Sequence, residues 1–185
     1  MRFFSPAPAQ WLVVGLGNPG AQYAATRHNV GYMVVDELLD GATWAPVRGI
    51  PALTARLPGD VLLARSKTYM NNSGEAVGPL AKRFHVEPGR IIVIHDELDL
   101  PVEKLKIKLG GNENGHNGLK SVSAHLGTPD YVRVRIGIGR PAPGVSVIDH
   151  VLGAAGPKTP VERAAEAVRT ICRDGVVKAQ NTVNG

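Results

Sequence analysis

The amino-acid sequence predicts a single-domain α/β protein, and three observations carry that prediction. Residues 12–14, 61–64 and 91–94 are short, unbroken apolar runs, the pattern of strands covered on both faces. Segments with helical spacing follow them, over residues 29–40, 73–84, 117–126 and 160–172. No repeat, low-complexity block or linker divides the 185 residues, which are enough to bury one real core. Strands alternating with helices imply a largely parallel or mixed sheet.

Taken in order, residues 1–10 (MRFFSPAPAQ) are too short and too proline-rich for a signal peptide and read as a loose lead-in. The first strand then runs into a turn in which Gly15, Gly17 and Gly20 spell the dinucleotide fingerprint, with Asp36 or Asp40 about 20 residues on. Pro19 opposes that reading, because it removes a backbone donor and pushes Asn18 out of helical geometry. Helical periodicity begins only near Asn29, with Val30, Met33, Val34 and Leu38 on one face. The glycines are therefore expected to shape a turn. Asn72 with Glu75, and Thr159 with Glu162, have capping-box spacing, and Pro160 suits a first helical position.

Two further strands, residues 102–109 and 131–138, alternate strictly. Leu105, Ile107 and Leu109 share one face, and Lys104, Lys106 and Lys108 the other. Val132, Val134, Ile136 and Ile138 likewise oppose Arg133 and Arg135. Either strand alone reads as an ordinary half-exposed one. Two all-basic faces in a chain with 21 Lys/Arg against 16 Asp/Glu, net +5, point to a polyanion site whose affinity falls steeply with salt.

The strand ends carry the chemistry. Asn18 and His28 follow the first apolar run, Asn71 the second, Asp96 the third, and Asn117 the lysine strand. Ligands of open α/β sheets bind at the carboxyl ends of strands, so these segments would gather one histidine, one carboxylate and three amides. An imidazole can serve as general base, a carboxylate can orient it, and amides can donate to a developing oxyanion. Residue types alone leave alternatives open. His28 is one of six histidines, His95 and His116 could stabilise loops, and each Asn could cap a turn.

Several chemistries are disfavoured. There is no G-x-S-x-G elbow, no H-E-x-x-H and no Walker loop. His95, Asp96, Glu97 and Asp99 suggest a metal, but adjacent residues rarely aim at one ion and no second cluster has ligand spacing. A water-activating hydrolase needing neither metal nor cofactor fits better. Cys172, the lone cysteine, rules out an intramolecular disulfide, and no run is long enough to span a bilayer, so a cytoplasmic location is expected.

With these residues assembled, the chain closely resembles the bacterial peptidyl-tRNA hydrolases. The resemblance runs in order through VGLGNPGAQYAATRHNVG, TYMNNSGEAV, HDELDLP, KLGGNENGHNGLKS and VRIGIGRP. It implies a mixed, twisted sheet between helices, and cleavage of the ester joining a peptide to the 3′ ribose of tRNA. It implies His28 as base for the attacking water, supported by Asp96, with Asn18, Asn71 and Asn117 holding the peptide and reacting carbonyl. Tyr23 matches a tyrosine lining the cleft. Lys108 and Arg135 match a basic pair that grips tRNA phosphate, and Lys104, Lys106 and Arg133 would assist them on the acceptor stem. Residues 143–153 match a mobile lid, and a metal-free monomer is implied. A non-catalytic RNA-binding relative of the same fold is the alternative, against which the complete His/Asp/Asn set argues. One departure stands out: Asn112, Glu113 and Asn114 occupy a loop that is usually richer in glycine.

Overall fold

The computed structural model describes residues 7–184. Its strands are β1 (Trp11–Gly15), β2 (Ala45–Val47), β3 (Ile50–Leu57), β4 (Val61–Ser66), β5 (Ile91–Glu97), β6 (Leu105–Leu109) and β7 (Val132–Gly137). Its helices are α1 (Val30–Leu39), α2 (Gly74–Arg83), α3 (Asn117–Leu126), α4 (Val147–Val151), α5 (Val161–Asp174) and α6 (Val176–Val183). The strands form one mixed sheet in the order β2-β3-β4-β1-β5-β7-β6. The inner four, β4, β1, β5 and β7, run parallel, while β3, β2 and β6 are antiparallel to their neighbours.

Alternation along the inner strands divides the core in two. Val13, Leu63, Ile92, Ile94, Val132 and Val134 face one side, where α1, α5 and α6 bury them. Leu12, Val14, Leu62, Ala64, Ile91 and Val93 face the other, beneath α2 and α3. Burial from both sides is why β1, β4 and β5 read as unbroken apolar runs, whereas β7 carries Arg133 and Arg135 on its second face. All four helix segments expected from the sequence are present.

The glycines after β1 admit a close approach. A Cβ on Gly15 would lie 2.3 Å from the Gly31 carbonyl oxygen, and one on Gly31 would lie 2.4 Å from that of Ile94. Helix α1 can therefore rest directly on the ends of β1 and β5. Gly20, at φ 112°, turns the chain into short 3₁₀ turns at Ala21–Tyr23 and Arg27–Asn29.

The structure corrects several expectations. Neither capping box forms: α2 follows a 3₁₀ turn at Met70–Asn72, and α5 starts at Val161 while the Thr159 hydroxyl donates to Gly156 O. The lysine strand starts at Leu105, because residues 101–104 turn, with Glu103 at φ 75°. Of the lead-in, residues 1–6 lie outside the described residues. From residue 7 it is tied down: Ala9 N donates to Phe84 O, Gln10 N to Asp60 O, and Arg56 to the Ala7 and Pro8 carbonyls. The hairpin β2–β3 and helix α6 had no counterpart in the sequence reading.

Candidate active site

The carboxyl end of β5 delivers Asp96, which is 3% exposed. The 3₁₀ turn at Arg27–Asn29, braced against that end, delivers His28. The two meet with His28 Nδ1 2.8 Å from Asp96 Oδ2. A second imidazole takes the other oxygen, with His116 Nε2 2.8 Å from Oδ1. His116 is also the N-cap of α3, where its Nδ1 accepts from Leu119 N–H at 3.2 Å.

These contacts assign protons. A neutral imidazole has one N–H and one lone pair. In His116 the lone pair is on Nδ1, so Nε2–H donates to Asp96. In neutral His28, Nδ1–H donates to the carboxylate and Nε2 keeps its lone pair. Burial alone would raise the Asp96 carboxyl, but the imidazoles of His116 and His28 outweigh it and hold Asp96 well below the usual carboxylate range.

The geometry also bears on metal binding. Ligand atoms of His28, Asp96 and His116 all lie within 4.8 Å of one another. Coordination would need a lone pair on His116 Nε2, the nitrogen that carries the proton while Leu119 N–H occupies Nδ1. The contacts present are those of a hydrogen-bonded triad, and a cation taking His116 Nε2 would have to displace that proton.

Asn18 is positioned by its neighbours. Its backbone N–H donates to Asn29 Oδ1 and its carbonyl accepts from Asn29 Nδ2, both at 2.9 Å. Its side-chain Oδ1 accepts Met70 N–H at 2.7 Å, which leaves the Nδ2 donors for the cavity that Asn18 lines. That cavity, about 360 Å³, brings together Asn18, His28, Asn71, Asp96 and Asn117. Its apolar wall includes Met70 and Leu98 with Val147, Ile148, Val151 and Leu152 around α4.

The profile of the family "Peptidyl-tRNA hydrolase" matches residues 12–185. The chain belongs to the peptidyl-tRNA hydrolase family. It is 53% identical to "Peptidyl-tRNA hydrolase 2" of Corynebacterium glutamicum over 98% of this chain and 93% of that one. It is 50% identical to the peptidyl-tRNA hydrolase of Mycobacteroides abscessus over 94% of each. The crystal structure of peptidyl-tRNA hydrolase from Acinetobacter baumannii superposes with a TM-score of 0.87 at 35% identity, covering 100% of this chain and 98% of that one.

Some of the residues expected at the site stand apart from the cavity. Tyr23 does not line it. Its ring packs edge-on against that of Tyr69, 6.4 Å away, and Tyr69 lines the cavity instead. Lys104, Lys106 and Lys108 are exposed, Lys104 just ahead of β6. In register, Lys106 opposes Arg135 and Lys108 opposes Arg133, so the pairing of β6 with β7 puts the four on one sheet face.

Arg133 requires a correction. It is 1% exposed, stacks over the Tyr131 ring and donates to the carbonyls of Gly111, Asn112 and Pro129. The loop after β6 folds over it, so it anchors that loop and has no surface for phosphate. Arg135 is mostly buried, with Nε donating to Glu97 Oε1 at 2.9 Å.

Residues 143–153 contain α4, capped by Ser146. Its far end is fixed: His150 Nε2 bonds the Ile138 and Gly139 carbonyls, while Arg27 donates to His150 O and Gly153 O. Sequence reasoning missed two members of the site, His116 and Asn29. Both sit beside residues it chose, but their roles depend on partners 20 and 11 positions away. His95 stands behind the site, its Nδ1–H donating to Asp96 O, and burial pushes its imidazole down to about 3.

Proposed function

We propose that the protein hydrolyses the ester between a peptide and the 3′ ribose of tRNA, with His28 as general base. The observation that carries this reading is the 2.8 Å contact of His28 with the ionised, buried Asp96 inside a cavity lined by three carboxamides. Nε2 takes a proton from water as the oxygen attacks the ester carbonyl carbon. Charge gathers on the carbonyl oxygen, towards which Asn18, Asn71 and Asn117 can turn amide donors. Collapse breaks the bond to the ribose oxygen, which leaves with the proton returned by His28. Asp96 keeps the ring in the required tautomer and stabilises the imidazolium between the two transfers.

Lys108 and Arg135, helped by Lys104 and Lys106, hold the acceptor-stem backbone beside the cavity. Tyr23 acts indirectly, by bracing Tyr69. Residues 143–153 cover the peptide through their apolar side chains, and the enzyme works as a cytoplasmic monomer without a metal. The test is hydrolysis of an N-blocked aminoacyl-tRNA by the parent and by His28→Ala. Turnover is expected to fall about 10²–10⁴-fold with tRNA binding retained. Near-normal turnover in the variant would overturn the mechanism.

A further inference from the structure

We infer that Glu97 is a positioning residue that passes phosphate contact at Arg135 to the loop carrying His116 and Asn117. The inference rests on the reading of Arg135 as a phosphate contact, given above.

The last two residues of β5 serve different partners. Asp96 goes to the imidazoles, and Glu97, 6% exposed, goes to the basic side. One Glu97 oxygen, Oε1, accepts both Arg135 Nε at 2.9 Å and Asn114 Nδ2 at 3.3 Å. The other, Oε2, accepts Asp99 N–H at 3.3 Å. Among the described residues, the terminal amino groups of Arg135 make no hydrogen bond, so that edge of the guanidinium is available to a phosphate while Glu97 holds the Nε edge.

Asn114 is one of the residues at which this chain departs from a glycine-rich loop. It sits at φ 53°, a left-handed conformation that Asn tolerates, two residues before His116. Arg133 fixes the start of the same loop through Gly111 O and Asn112 O. At its other end His116 is bonded to Asp96. Between these anchors, Asn114 is tied to the body of the protein by its contact with Glu97.

A charged donor and a neutral donor thus share one oxygen, and the charged one dominates. A phosphate on the free edge of Arg135 draws that charge away from Oε1, and Asn114 gains the acceptor. The loop tightens, and His116 and Asn117 are set against Asp96 and the substrate. Binding energy from a remote part of the substrate is thereby spent on positioning at the reacting centre. The acceptor stem should then raise kcat, beyond lowering KM.

The experiment uses two esters with the same N-blocked aminoacyl group, one on intact tRNA and one on a single-stranded trinucleotide without the stem. The parent should turn over the tRNA ester with the higher kcat. Asn114→Gly, in which glycine accepts positive φ freely, should lose about three- to tenfold of kcat on the tRNA ester, the size of one hydrogen bond. Its KM, and its kcat on the trinucleotide ester, should hardly change. Asn114→Asp, which sets a carboxylate against Glu97, should lose more. Unchanged kcat on tRNA, or an equal fall on both esters, would overturn the inference. If the parent cleaves neither ester, or Arg135→Gln leaves the salt dependence of tRNA binding unchanged, the underlying reading fails and the inference falls with it.

Discussion

His116 donates to the Asp96 oxygen that His28 leaves open, 2.8 Å from Oδ1. The carboxylate is thereby held at both ends and cannot swing away from His28. His116→Ala leaves Oδ1 buried without its donor, which should cost about 1–3 kcal/mol in urea unfolding. The loosened carboxylate should lower kcat about tenfold with KM nearly unchanged, a barrier change of about 1.4 kcal/mol. That is less than for His28→Ala, because the proposed base itself remains. A loss equal to that of His28→Ala would mean that His116 touches the reacting atoms.

His95 makes stability depend on pH. Burial, together with the nearby His116, lowers its imidazole from 6.5 to about 3, so the unfolded chain takes a proton at a pH where the folded chain does not. Its contribution is fully present above pH 6.5 and is lost as pH falls towards 3. For this residue the loss is about 2 kcal/mol between pH 7 and pH 5. Urea midpoints measured across that window should fall, and His95→Gln should flatten the slope by about one proton relative to the parent. Parallel slopes would show that His95 titrates normally in the folded protein.

Strands β1, β4 and β5 were legible because cover on both faces writes unbroken apolar runs at residues 12–14, 61–64 and 91–94. The hairpin β2–β3 was not, because at the sheet edge it mixes buried Ile50 and Ala52 with exposed Ala45 and Pro46. The β6–β7 pairing puts Lys106, Lys108, Arg133 and Arg135 on one face, and within each strand alternation correctly set them opposite the apolar residues. It says which side a residue takes and nothing of what covers that side. Strand β6 is the sheet edge, so its lysines meet solvent, whereas the loop after β6 closes over Arg133 one strand further in. Asn18, His28, Asn71, Asp96 and Asn117 were legible because strand ends in such a sheet converge. The sequence leaves His116 open as a possible loop stabiliser, because its bond to the site is to a carboxylate 20 residues earlier.

Helix α1 rests on the sheet through glycine. The Cβ of Gly31→Ala would meet the Ile94 carbonyl at 2.4 Å and the Leu16 carbonyl at 2.6 Å, and neither is a side chain that can rotate aside. The helix must move outward, carrying the turn that presents His28. Destabilisation of about 3 kcal/mol, at the upper end for overpacking, should accompany a loss of kcat. Thermal unfolding and turnover measured on the same preparation check it.

Arg133 and Arg135 share a strand face and should behave oppositely on substitution. Arg133→Met strands three carbonyls that the guanidinium now serves, and should cost about 2–4 kcal/mol of stability. No phosphate contact is lost, so the slope of log K for tRNA against log salt should stay at the parent value. Lys108→Ala and Arg135→Gln should each flatten that slope by about one unit. Lys108 is exposed on the edge strand, so its loss should leave stability within about 0.5 kcal/mol of the parent. Filter-binding titrations across a salt series, paired with urea unfolding, separate the two roles. A flattened slope in Arg133→Met would mean that the loop over it opens and exposes the guanidinium to RNA.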